Sequence, residues 1–143
     1  MAITSNVNLV RKKVVNLSDN VEVASRRARD EMANLFKQLA QDQIKGQRPK
    51  GQRATAGKPP MNRTGNLRNN IEIERSQDGL GGFYARVGPT MVYARAVELG
   101  GQYAPKSWRN SSAIAGFPFM APAFVRFQRI APSIIRKHFG GTT

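Results

Sequence analysis

From Asn20 to Ile44, Val21, Ala24, Ala28, Met32, Leu35 and Leu39 recur at steps of three and four residues. That spacing lines one face of an α-helix and no face of a strand. A helix of this length spans about 37 Å, so the rest of a small protein has to be laid along one rod. Asp19 with Glu22 reads as a capping box that places acid at the positive end of the helix dipole, and Gly46 reads as the terminator. Ahead of the rod, Ile3 to Leu17 carries Val7, Leu9, Val10, Val14 and Val15 around Arg11, Lys12 and Lys13. This pattern suits an extended arm and a short helix equally, so residues 1–19 are set apart as an N-terminal arm or short element.

Behind the rod the composition changes. No acid occurs between Asp42 and Glu72, while Lys45, Arg48, Lys50, Arg53, Lys58, Arg63 and Arg68 lie among Gly46, Pro49, Gly51, Gly57, Pro59 and Pro60. A mobile, strongly basic loop over residues 45–63 is the expectation. Ile71 and Ile73 then alternate with Glu72 and Glu74, and Phe83, Ala85 and Val87 alternate with Tyr84 and Arg86, which predicts two half-buried strands. Between them Gln77-Asp78-Gly79-Leu80-Gly81-Gly82 supplies residues that tolerate positive φ, so the strands are expected to form an antiparallel hairpin ended by Gly88 and Pro89. Met91 to Leu99 reads as a short helix closed by Gly100 and Gly101, and residues 101–117 as a polar surface loop with the lone Trp108. A last helix is predicted from about Ala121 to Phe139. Met120, Phe124, Phe127, Ala131, Ile134 and His138 share its apolar face, and Arg126, Arg129, Arg136 and Lys137 share the opposite one. Pro132 is expected to kink or split it near Gln128.

The chain of 143 residues matches one domain with one core, assigned to residues 20–143. Several chemistries are missing from it. Without cysteine there is no disulfide framework, thiolate metal site or Cys nucleophile. The only histidine, His138, falls on an apolar helix face and reads as structural. Glu72 and Glu74 are better explained as the solvent face of a strand than as a catalytic pair. Gly79-Leu80-Gly81-Gly82 lacks the Lys and the helix of a phosphate loop, and no metal-ligand spacing occurs. No enzyme and no cofactor are expected. The N-terminus lacks a signal-peptide pattern and no segment is apolar for the roughly 20 residues a bilayer requires, so a soluble chain kept inside the cell, without a membrane partner, is expected.

Charge is the remaining feature. Lys and Arg number 23 against 9 Asp and Glu, a formal net charge of +14, while 40% of residues are hydrophobic. A folded domain with basic segments follows, and something anionic should lie nearby. Lys45, Arg48, Lys50, Arg53 and Lys58 in the loop, with Arg126 and Arg129 on the last helix, are the candidates to face DNA or an acidic protein, with a plain solvated face as the alternative. A sequence-nonspecific nucleic-acid-binding protein is one reading of them. No aromatic residue lies between Phe36 and Phe83 to stack bases, and no helix-turn-helix or zinc-finger pattern is present.

Three strings taken in order, Thr64-Gly65-Asn66-Leu67-Arg68, then Tyr93-Ala94 with Val97-Glu98 and Gly100, then Pro118-Phe119-Met120 with Pro122-Ala123-Phe124, resemble the neck and tail-completion proteins of long-tailed bacteriophages, a family also labelled head-tail joining or minor tail proteins. The resemblance covers about Val21 to Phe139. It implies an α+β fold in which a long helix packs on a small antiparallel sheet, with copies arranged as a ring, six-membered by expectation, around the channel through which DNA leaves the head. It implies a structural virion role at the head-to-tail junction, host cytoplasm during assembly, no catalysis, and as partners the connector or head-completion proteins on one side, tail-terminator or tail-tube proteins on the other, and passing DNA. Thr64, Asn66, Arg68, Tyr93, Glu98, Trp108 and Phe119 become candidate contacts with neighbouring copies or partners, with Gly65 permitting a tight entry, Leu67 anchoring the turn and Arg68 pairing with an acid. Met61-Asn62-Arg63 stands where the family often carries a Pro and an acid, and Glu98-Leu99-Gly100-Gly101 replaces its Glu-Gly-Thr type sequence, which weakens assignment to one storey of the neck.

Overall fold

The computed structural model describes residues 2–44, 46, 55, 57–60, 64–79, 81–100 and 116–140. Helix α1 runs unbroken from Ala2 to Gln43, about 63 Å at 1.5 Å per residue. The open choice for residues 3–17 is thereby decided in favour of helix, and Asp19 lies inside it instead of capping it. Not one Gly or Pro occurs among these 42 residues, so nothing stops propagation once the C-terminal part is held by packing. Ile44 closes the last turn on the Gln41 carbonyl and Gly46 follows at φ +116°.

Thr64 and Gly65 lead into the one-turn helix α2, Asn66–Asn69, with Gly65 at φ +79°. Strands β1, Ile71–Gln77, and β2, Phe83–Pro89, form the expected antiparallel hairpin with Ile71 opposite Pro89 and Gln77 opposite Phe83. Ile71, Ile73, Ala85 and Val87 turn toward α1, and Glu72, Glu74, Tyr84 and Arg86 turn to solvent. Asp78 closes the loop twice, its N–H donating to the Gly82 carbonyl and its carboxylate accepting from the Gly82 N–H.

Helix α3 covers Ala94–Leu99, shorter than the predicted Met91–Leu99, because Met91 to Tyr93 form a turn whose Met91 carbonyl accepts from Ala94. Helix α4 covers Met120–Phe139. Pro132 does not split it: the Pro is exposed, and Phe127 and Ile134 on either side pack inward, so side-chain burial outweighs the one lost backbone bond. Lys137 is exposed, and its Nζ reaches the Glu31 carboxylate of α1 at 2.9 Å.

The core sits at the C-terminal end of α1, where Ala40, Ile44, Ile71, Phe119 and Ala123 are shut from solvent and Phe36, Leu39, Leu67, Val87, Val97 and Met120 pack around them. Helix α4 lies antiparallel to α1: Phe124 and Phe127 meet Phe36 at ring separations of 6.1 and 5.4 Å, and His138 meets Glu31 farther back. The fold class is α+β as the resemblance implied.

Candidate assembly surface

The three sequence strings converge on the core end of α1, each closing a different part of it. Glu98, at the end of α3, aims its carboxylate at the start of α4 and accepts from the N–H groups of Phe119 at 2.7 Å, Met120 at 3.1 Å and Ala121 at 3.0 Å. It thus satisfies three of the orphan donors of that helix and sets a negative charge at the positive end of its dipole. The Phe117 N–H donates to the Val97 carbonyl at 2.7 Å. Gly116 lies so close to the α3 backbone that an added Cβ would stand 2.8 Å from the Glu98 carbonyl oxygen, so the chain passes only where no side chain intervenes. In the first string, Gln41 of α1 donates to the Arg68 carbonyl at 3.1 Å, and Asn70 donates back to Asn66 at 2.8 Å.

These contacts redistribute the candidate residues. Phe119 is fully buried and offers nothing to a neighbour, and Glu98 is committed to capping; both hold the monomer together. Arg68 makes no ion pair among the described residues, contrary to the expected acid partner, and its Nε is buried without a hydrogen bond. Thr64 and Asn66 are exposed, with the Thr64 hydroxyl accepting weakly from the Asn66 N–H, and Tyr93 is half-buried at the head of α3. Lys58, Arg126 and Arg129 face solvent. Trp108, Lys45, Arg48, Lys50 and Arg53 lie outside the described residues, as does most of both long loops.

Sequence reasoning missed the surface that is most distinctive. Phe83 and Val87 of β2, Met32 and Phe36 of α1, and Phe124 and Phe127 of α4 line an open apolar cleft of about 430 Å³. The guanidinium groups of Arg26 and Arg29 stand 4.9 and 5.5 Å from the centre of the Phe83 ring, within cation–π range. The spacing puts Phe124 on the apolar face of its helix, yet it is 48% exposed. Beyond the cleft, Val92 is 99% exposed on the turn before α3 and Leu99 is 52% exposed at its end. No sequence pattern marks Val92, since a turn residue has no periodicity to betray its direction.

Ion pairs tie α1 to β1 and to α4. Asp30 is partly desolvated, which works against its charge, but hydrogen bonds from Arg29 and Arg75 and their positive charges outweigh that and hold its carboxyl below the usual range. Glu31 is held low by the hydrogen bond from Lys137, then by that from His138 at 2.7 Å. His138 is thereby a structural partner of α1. Among the described residues no group of three or more His, Cys, Asp or Glu side chains is placed to hold a metal ion, and no helix is long and apolar enough to cross a membrane.

A family model described as "Bacteriophage HK97-gp10, putative tail-component" matches residues 10–100, from within α1 to the end of α3. It therefore includes the first two strings and stops short of the third. No curated protein and no solved structure matches the chain.

Proposed function

Since the chain belongs to the HK97-gp10-like family of bacteriophage tail components, a structural, tail-related role in the virion is its premise, and we propose that its copies close a ring, six-membered by expectation, at the head-to-tail junction. The observation that carries the reading is the family match over residues 10–100. A monomer that leaves an apolar cleft, Val92 and Leu99 in water supports it, because such surface is stable when a neighbour covers it. A ring needs two different surfaces on each copy. The cleft supplies one, and the Thr64, Asn66 and Tyr93 region with Val92 supplies the other. The protein acts by shape and turns over no substrate. Its neighbours in the particle are connector or head-completion proteins on one side and terminator or tube proteins on the other.

The charge of +14 serves assembly more than retention of DNA. Lys45, Arg48, Lys50, Arg53 and Lys58, with the exposed Arg126 and Arg129, meet acidic protein neighbours and touch passing DNA weakly, since tight binding in a conduit would obstruct ejection. Electron microscopy of purified particles tests the ring: density for this chain at ring copy number at the top of the tail is expected, and its absence from the particle overturns the reading. Assembly yield across a salt series tests the electrostatics, with a fall at high ionic strength expected. A sequence-nonspecific nucleic-acid-binding protein is the competing reading, favoured by the arginines that α4 turns outward. Strong duplex binding at physiological salt, with a salt slope flattened by neutralising Arg48, Lys50, Arg53 and Lys58, would establish it in place of the ring.

A further inference from the structure

The N-terminal half of α1 carries an apolar seam that nothing in the described fold covers. Val7, Val10, Val14, Leu17 and Val21 are 60, 59, 60, 61 and 48% exposed. They follow one another at alternating steps of three and four residues, and Ala24 and Ala28 continue the series. That is the a and d spacing of a coiled coil, with Val7, Val14 and Val21 at a and Val10, Leu17 and Ala24 at d, up to Ala28, which the fold itself buries. Such a seam is shaped for another helix. Helix α4 is not that helix: it runs antiparallel to α1 and ends where Lys137 and His138 meet Glu31, so the earlier turns of α1 lie beyond its reach.

We propose that this seam binds the same seam of a second copy of the chain, antiparallel, in layers that set Val7 against Ala24, Val10 against Val21 and Val14 against Leu17 of the other copy. Charge decides the direction. Arg11, Lys12, Lys13 and Asp19 make no ion pair among the described residues. In an antiparallel pair the basic cluster of each helix lies level with Ser18, Asp19 and Asn20 of the other, whereas a parallel pair would bring the two basic clusters together at one level. At the flanking e and g positions Arg11 then lies beside Ser18 and Lys13 beside Asn20, while Lys12 and Asp19 stand at f on the outer faces of the pair. This two-fold contact rests on the seam alone and is independent of the ring.

The absence of cysteine from the chain makes the pairing directly testable on the full-length protein. Val10→Cys mixed with Val21→Cys should give a disulfide-linked mixed dimer on mild oxidation, while neither variant alone should link to itself. The two copies of either residue lie about 16 Å apart along an antiparallel pair, beyond the roughly 7 Å a disulfide tolerates. Efficient self-linking of Val10→Cys would overturn the proposal in favour of a parallel pair. By sedimentation equilibrium the unaltered chain should self-associate through this contact. The double change Val14→Glu with Leu17→Glu should weaken that association by about a hundredfold or more, since carboxylates in an apolar seam lack partners. Both positions face solvent in the single chain, so circular dichroism should show the domain still folded. A monomer at every concentration, or an assembly of unchanged mass after the double change, overturns the proposal without touching the ring reading, which particle imaging tests separately.

Discussion

Helix α1 is two different objects along one axis. From Ala28 to Ile44 its apolar face is covered, with Ala28, Ala33, Ala40 and Ile44 buried and Phe36 wedged against Phe124 and Phe127. From Val7 to Val23 every side chain is exposed. The covered half places alanine where packing is tightest and a single large ring where a gap must be filled; the bare half uses branched side chains of similar size at regular steps. Interior packing against a hairpin and a helix needs uneven volumes, whereas pairing with a like helix needs repetition. The same period thus serves a fold at one end and an association surface at the other.

The contrast can be broken by substitution. The largest effect is expected at the covered end: Phe119→Ala, removing a ring that is wholly buried, should destabilise the chain by about 3–5 kcal/mol in denaturant unfolding. A smaller cost at the same end belongs to Glu98→Ala, which leaves the first donors of α4 without their acceptor. About 1–2 kcal/mol is expected, and Glu98→Gln should recover part of it, since its one carbonyl oxygen still accepts. At the boundary between the halves, Glu31→Gln should lower the thermal midpoint near neutral pH. Because the Glu31 carboxyl is held below the ordinary glutamate value of 4.5, its contribution is complete above that value and is lost as pH falls through the folded-state one. The two proteins should therefore melt alike in strong acid. The smallest effect is expected at the bare end, where Val14→Ala should change the unfolding free energy of the monomer by no more than about 0.5 kcal/mol. A large loss there would mean that the seam is covered within the chain.

Much of this architecture was legible in the residues. The stripe from Val21 to Leu39, the alternation through Ile71 to Glu74 and Phe83 to Val87, and the glycine-rich link each express a local rule of backbone geometry. The hairpin and the last helix appear where those rules put them, and α1 ends where they put it but begins at Ala2 instead of Asn20. Local rules failed where a choice was made by something distant. Asp19 had the chemistry of a cap, but a cap forms only where a helix stops, and no breaker stops this one. Pro132 had the chemistry of a break, but Phe127 and Ile134 anchor the helix on both sides of it. The candidate contact residues fared likewise: the strings that carried Glu98 and Phe119 meet in space because they hold the core end of α1 closed, and a side chain already committed to its own fold is withdrawn from the surface.

Periodicity, charge and the absence of cysteine, all properties of neighbouring residues, determined that this chain builds a long amphipathic rod, a hairpin and a second helix, and that its surface is strongly basic. The tertiary structure alone decided which length of the rod is covered, that Glu98 caps α4, and that Phe83, Phe124 and Phe127 open a cleft toward solvent. The reason is that a repeat along the chain specifies which side of an element is apolar, while burial depends on what packs against that side, and α4 ends before the rod does.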